Sequence, residues 1–116
     1  MLPRDRKRLS KIRDYCTDIQ ETMGQYGVSF EVFQANRTYK YTCSFCILQI
    51  GELVSGLSEE YRAETQSRVS WRQMKAMRNI VVHDYGSVDM EIVWEVMTTD
   101  IPNLIQFCDE QLAENE

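Results

Sequence analysis

The chain is poor in the side chains that most hydrolytic enzymes use: among 116 residues there is one histidine, His83. With no second histidine and no acidic cluster at metal-ligand spacing, a two-metal nuclease is disfavoured, and no metal or other cofactor is expected. No run approaches the roughly 18 apolar residues of a membrane helix, which leaves no membrane partner to expect. The opening Met-Leu-Pro-Arg-Asp-Arg-Lys-Arg has no apolar stretch behind it, so a secretory signal is not expected and the cytoplasm is the expected compartment. No strict two-residue alternation is long enough for a strand, and there is no repeat or low-complexity tract. Lysine and arginine are missing altogether after residue 78.

What is present reads as helix. A length of 116 residues suits a single domain, 1–116, with one core. Leu9, Ile12, Cys16, Ile19, Met23 and Tyr26 recur at spacings of three and four, predicting an amphipathic helix over about residues 4–25. Gly24 and Gly27 loosen its end, and Ser29 caps a short turn carrying Phe30 and Phe33. A long second helix places Tyr39, Cys43, Cys46, Ile47, Ile50, Leu53, Val54 and Leu57 on one face. Ser58-Glu59-Glu60-Tyr61 starts a short helix or turn, and residues 63–69 read as the least ordered connection. Beyond the central helix, Met90, Val93, Trp94, Met97, Ile101, Leu104, Ile105, Cys108 and Leu112 sustain one stripe. Pro102 interrupts it and predicts a break near Thr98 and Thr99. The fold class is all-α, an up-and-down bundle of four to five helices.

The net charge of −5 hides a division. Residues 1–78 hold thirteen cations against nine carboxylates, a balance of +4; residues 79–116 hold nine carboxylates and no cation, a balance of −9. Arg4, Arg6, Lys7, Arg8, Lys11 and Arg13 crowd the first helix. For any one of them a solvated helix face is the simple reading; together with Arg68, Arg72, Lys75 and Arg78 they offer a surface that attracts phosphate. The acidic last third suits a partner contact or solubility, and solubility is preferred.

The informative stretch is 70–86. Ser70 is an N-cap with Gln73 three residues on, the capping-box pattern, and Val69 with Met74 can form a hydrophobic staple. Gly86 closes the helix. Arg78 lies on an otherwise apolar stripe, and an unpaired buried charge costs on the order of 3–5 kcal/mol, so it is either paired or functional. Arg78 and His83 are five residues apart, about 140° around a helix. One straight helix cannot aim both at one small ligand. Either the helix unwinds near His83, or a second chain supplies the other half. A lone histidine near a helix C-terminus also serves as a partner of the helix dipole, and Tyr85 taken alone reads as packing.

Cys43-Ser-Phe-Cys46 is a C-x-x-C, a pattern shared by zinc half-sites and redox pairs. Zinc needs two more ligands, and Cys16 and Cys108 have no paired spacing. A redox pair usually sits at a helix N-terminus after a strand, whereas this one is mid-helix. All four cysteines fit apolar stripes as small core residues.

Arg78-x(4)-His83-x-Tyr85, with Asn79 directly after the arginine, resembles the signature of the HEPN superfamily, specifically its HepT-like toxins. Ile50-Gly51-Glu52-Leu53, Ser58-Glu59-Glu60, Trp71-Arg72 and Val88-Asp89-Met90-Glu91-Ile92-Val93-Trp94-Glu95 carry the similarity over nearly the full length. The resemblance implies a HEPN-like homodimer with its cleft at the interface, and a metal-independent RNase toxin acting on RNA. Its catalytic residues would be Arg78 and His83, with Asn79 assisting Arg78 in holding phosphate. It further implies a minimal (MntA-like) nucleotidyltransferase antitoxin that transfers AMP onto Tyr85. Glu52 matches a family position, with no derived role beyond a partner for Arg78. The chemistry is compatible with the residues: RNA brings its own 2′-hydroxyl nucleophile, His83 with an ordinary pKa of ~6.5 can serve as base or acid, and Arg78 can grip phosphate with two parallel hydrogen bonds. Two other readings stand beside it. One is a catalytically silent HEPN subunit that binds nucleotide or partners a nucleotidyltransferase; the other is a helical dimerisation module.

Overall fold

Proline at the first position of a helix loses nothing, because its missing N–H would have had no partner there. Pro3 begins α1 (Pro3–Tyr26), whose Leu9, Ile12, Cys16, Ile19 and Met23 are all buried, as their spacing predicts. The computed structural model describes residues 1–83 and 89–114, and for 80–83 the backbone alone. α1 stops at Gly27, whose φ of 111° lies where side chains are strained and whose N–H donates to Met23 O at 2.8 Å.

Four of the following helices start at a side-chain cap. Ser29 accepts from Val32 N–H to open α2 (Phe30–Ala35), and Asn36 Oδ1 accepts from Tyr39 N–H at 2.9 Å to open α3 (Arg37–Ser55). Ser58 caps α4 (Glu59–Thr65), which is followed by α5 (Trp71–His83). Asp89 caps α6 (Met90–Glu95), and α7 (Ile101–Glu114) completes the described chain. Among the described residues there is no strand.

α3 packs against both α1 and α5, and α1 packs also against α7, so the long helices lie in the order α5, α3, α1, α7. α1 and α3 are antiparallel and tied at both ends. At one end Tyr39 Oη donates to Gly27 O at 3.0 Å. At the other, the buried Asp5 carboxylate accepts from Ser58 N–H at 2.8 Å and from Ser58 Oγ at 2.7 Å, joining α1 to the cap of α4. α7 runs back along α1, with Arg6 Nη1 donating to Leu112 O at 3.0 Å and Arg13 3.6 Å from Asp109. Phe33, Tyr39 and Trp94 pack ring to ring, with Phe33 4.9 Å from Tyr39 and 5.3 Å from Trp94. Such pairs contribute roughly 0.5–1.5 kcal/mol each beyond their burial.

Two local expectations are corrected. The chain does not break at Thr98 and Thr99: residues Val96–Asp100 form a π-turn that joins α6 to α7 without a gap, with Ile101 N–H reaching Val96 O. The wider turn shifts the hydrogen-bond ladder ahead of Pro102, which then falls in the first turn of α7, and Thr98 Oγ1 occupies Trp94 O at 3.0 Å. Residues 63–69 are more tightly held than their composition suggests. Thr65 and Val69 are buried, and Thr65 Oγ1 donates to Tyr61 O at 2.7 Å while accepting from Trp71 Nε1 at 2.9 Å.

The four cysteines are free and buried, in the core as their stripes predict. Burial raises the thiol of Cys43 to about 12, with the neighbouring Cys46 adding to the shift. Cys46 is raised to about 11, first by burial and then by Asp18.

Candidate active site

α5 is anchored at its start. Ser70 Oγ accepts Gln73 N–H at a long 3.4 Å, and Val69 and Met74, on either side of this cap, are both buried. Trp71, Met74 and Met77 then form the buried face. Arg78 departs from it toward α3.

α3 and α5 approach closely at Gly51. A Cβ placed there would overlap Arg78 Cβ and come within 3.0 Å of Cγ and 3.3 Å of the Arg78 Cα. Glycine is required at this point because Arg78 Cβ and Cγ, at the root of a side chain anchored on α5, occupy the space a Cβ would need. One residue on, Glu52 Oε1 accepts from Arg78 Nε at 2.5 Å, and Asn79 Oδ1 accepts from Arg78 Nη1 at 2.8 Å. The Arg78 side chain is 32% exposed and that of Glu52 49%. A pair this wet contributes little to stability, typically 0–1 kcal/mol, so its physical effect is to fix the direction of the guanidinium. Of five guanidinium N–H groups, these contacts engage two; the other three have no partner among the described residues and can meet a ligand.

Arg78, Asn79 and Glu52 therefore come together, while Asn79 itself is exposed and spends its oxygen on Arg78. α5 keeps its helical backbone through His83, so positions 78 and 83 stay about 140° apart around its axis. The His83 side chain lies outside the described residues, and so do Asp84, Tyr85 and Gly86, including the expected helix stop at Gly86 and the modification site at Tyr85. Gly51 was not among the residues singled out for function. Its signal was present in the sequence, since a glycine directly before an acid on an apolar helix face marks a close helix approach beside a charge.

The basic residues divide by partner. Arg68 is spent on α7, with Nη2 2.6 Å from Glu110 Oε2 and the guanidinium over the Phe107 ring. Arg13 and Arg6 also face α7. Arg68, expected beside Arg72 and Lys75 in a phosphate-attracting surface, is thus held by an acid instead. Among the described residues, no group of three His, Cys, Asp or Glu side chains is placed to hold a metal ion, and no helix is long and apolar enough to cross a membrane.

The family described as Ribonuclease HepT-like matches residues 9–111. A protein of Caldanaerobacter subterraneus subsp. tengcongensis, named "Putative RNase TTE0752", is 35% identical over 78 residues, covering 67% of this chain and 69% of its own. The "Probable ribonuclease HepT" of Thermococcus cleftensis is 26% identical over 97 residues, 79% of this chain and 87% of that one. The "Putative RNase MJ1216" of Methanocaldococcus jannaschii is 29% identical over 98 residues, 80% of each. No solved structure gives a significant match.

Proposed function

Because the chain belongs to the HepT-like ribonuclease family, we propose that it is a metal-independent endoribonuclease, the toxin of a toxin–antitoxin pair, working as a homodimer in the cytoplasm. The observation that carries this reading is the aimed guanidinium of Arg78, held by Glu52 and Asn79 with donors to spare. A planar fork in that state suits a phosphate that gains charge in the transition state.

In the proposed reaction the RNA 2′-oxygen attacks the adjacent phosphorus and the bond to the 5′-oxygen breaks. A base takes the 2′ proton, an acid supplies one to the leaving oxygen, and a 2′,3′-cyclic phosphate results. His83 serves in these transfers, since an imidazole of ordinary pKa ~6.5 exists in both forms near neutrality. Arg78 stabilises the phosphorane-like charge. One histidine cannot be acid and base at once, and the 140° separation keeps one helix from aiming both groups at one phosphate. Two copies of α5 across a two-fold axis meet both requirements. Neutralisation is proposed to come from a nucleotidyltransferase antitoxin: the Tyr85 hydroxyl attacks the α-phosphorus of ATP, pyrophosphate leaves, and the AMP anions repel RNA from the cleft.

The assembly is tested by light scattering at micromolar concentration. A mass twice the 13.7 kDa of one chain is expected, and a monomer would remove the composite site. The rival, a non-catalytic HEPN subunit that binds nucleotide or a nucleotidyltransferase, requires a dimer that cleaves no RNA.

A further inference from the structure

A groove of about 530 Å³ lies between α4 and the first turns of α5, lined by Arg62, Arg72 and Lys75 with Gln66, Ser70 and the single carboxylate Glu59. Neither Arg78 nor Asn79 belongs to it. Its cations are unspent: unlike Arg68 and Arg13, none of the three has an ion-pair partner among the described residues. Arg62 Nε is buried with no hydrogen-bond partner among the described residues. A buried N–H donor left unpaired costs on the order of 1–3 kcal/mol, so no internal hydrogen bond at Nε ties the Arg62 guanidinium away from the groove it lines.

The helical register ties the groove to the proposed site. Position 83 lies eleven residues after 72, which returns it to within about 20° of the same azimuth, with position 79 between them. Arg72, Lys75 and Asn79 are all exposed on this side of α5. The rise of 1.5 Å per residue sets Lys75 about 12 Å and Arg72 about 16 Å along the axis from position 83, a span that a few nucleotides cover.

We propose that this groove is a subsite for single-stranded RNA, in which Arg62, Arg72 and Lys75 hold backbone phosphates a few nucleotides from the bond that is cut. The inference rests on the ribonuclease reading for its substrate, and it makes these residues determinants of substrate length, not of the chemical step. The contacts are to phosphate, so they are sequence-independent and salt-dependent.

The test uses the full chain and an R72Q/K75Q variant; both side chains are exposed, so thermal unfolding should be unchanged. Anisotropy with a 2′-O-methyl twelve-nucleotide RNA, which lacks the nucleophile, measures binding without turnover. The variant should bind roughly tenfold more weakly near 0.15 M salt, and its log–log salt slope should shrink by about 1.4, as expected for two lost contacts to a single strand. KM for a cleavable twelve-nucleotide RNA should rise by a similar factor, with cleavage of a dinucleotide unaffected. Equal binding by both proteins overturns the subsite, and so does an equal loss on the dinucleotide. If the wild type binds RNA through these residues yet cleaves none, the subsite stands and the ribonuclease reading falls.

Discussion

Arg78 Nε meets Glu52 Oε1 at 2.5 Å across a helix crossing whose spacing Gly51 permits. The direction of the arginine is thus set from α3 as well as by Asn79, its neighbour on α5. Gly51→Ala should force the helices apart, at a cost of about 1–3 kcal/mol by overpacking. RNA cleavage should fall at least tenfold with Arg78 and His83 both present. Denaturant unfolding and a cleavage assay on the same sample check this; full activity would show that the close approach does not position the arginine.

Removing Glu52 separates orientation from stability. Glu52→Ala should change stability by less than about 1 kcal/mol, since the pair is exposed, while kcat drops because Arg78 Nε loses its acceptor and only Asn79 still holds the guanidinium. A variant with unaltered kcat would assign Glu52 to the surface alone.

How much of this was visible in the sequence depends on how far apart the contacting residues lie. The three-four spacing from Leu9 to Met23 gave α1 nearly to its ends, and Ser29 and Ser58 announced the helices they cap, because those signals are local. Asp5 carried no such signal. It lies in a run of cations and looks like a solvated acid, yet it is buried against Ser58, 53 positions away. The π-turn at 96–100 was equally hidden, since Pro102 says that the ladder must adjust without saying whether it breaks or widens. Arg78 was marked by its conflict with an apolar stripe, but its partners lie on another helix, and the α3–α5 crossing exists only once the core has formed.

Asp5→Ala should therefore destabilise strongly for a residue in a charged segment. It strips acceptors from Ser58 N–H and Oγ at once, at about 1–3 kcal/mol for each buried group left unpaired. Chemical denaturation should show the loss as a lower midpoint with unchanged slope. A change below roughly 0.5 kcal/mol, the scatter of surface substitutions, would contradict the tie between α1 and α4.

Stability should fall in alkali. Burial raises Cys46 to about 11, and Cys43 and Cys108 to about 12, from an ordinary 9.0. A thiol with a raised native pKa stabilises fully below 9.0 and progressively less as pH climbs through its native value, because the unfolded chain releases the proton first. The slope is about 1.4 kcal/mol per pH unit for each thiol. Melting temperature followed from pH 8 to pH 11 should decline, and Cys43→Ala should decline less steeply from its own starting point. A flat profile would contradict buried thiols.

Tyr85→Phe should keep much of the RNase activity while escaping neutralisation by a cognate nucleotidyltransferase. A phenol of ordinary pKa ~10 is a poor base at neutral pH. Incubation with that enzyme and ATP, read by intact mass, should add AMP units to the wild type and none to the variant. Mass gain in the variant would place the modification elsewhere, and loss of cleavage in Tyr85→Phe alone would make the tyrosine part of the chemistry.

The central claim is that Arg78 and His83 cut RNA without a divalent metal. The most direct measurement is cleavage of a labelled RNA in EDTA by the wild type, Arg78→Ala, Arg78→Lys and His83→Ala, each shown to be folded by circular dichroism. The wild type should cleave and leave 2′,3′-cyclic phosphate ends. Both alanine variants should lose at least a hundredfold, the order of one general acid–base or one electrostatic contribution, and lysine should rescue poorly because it lacks the planar fork. Wild-type activity that vanishes in EDTA, or cleavage that survives His83→Ala, would contradict the account.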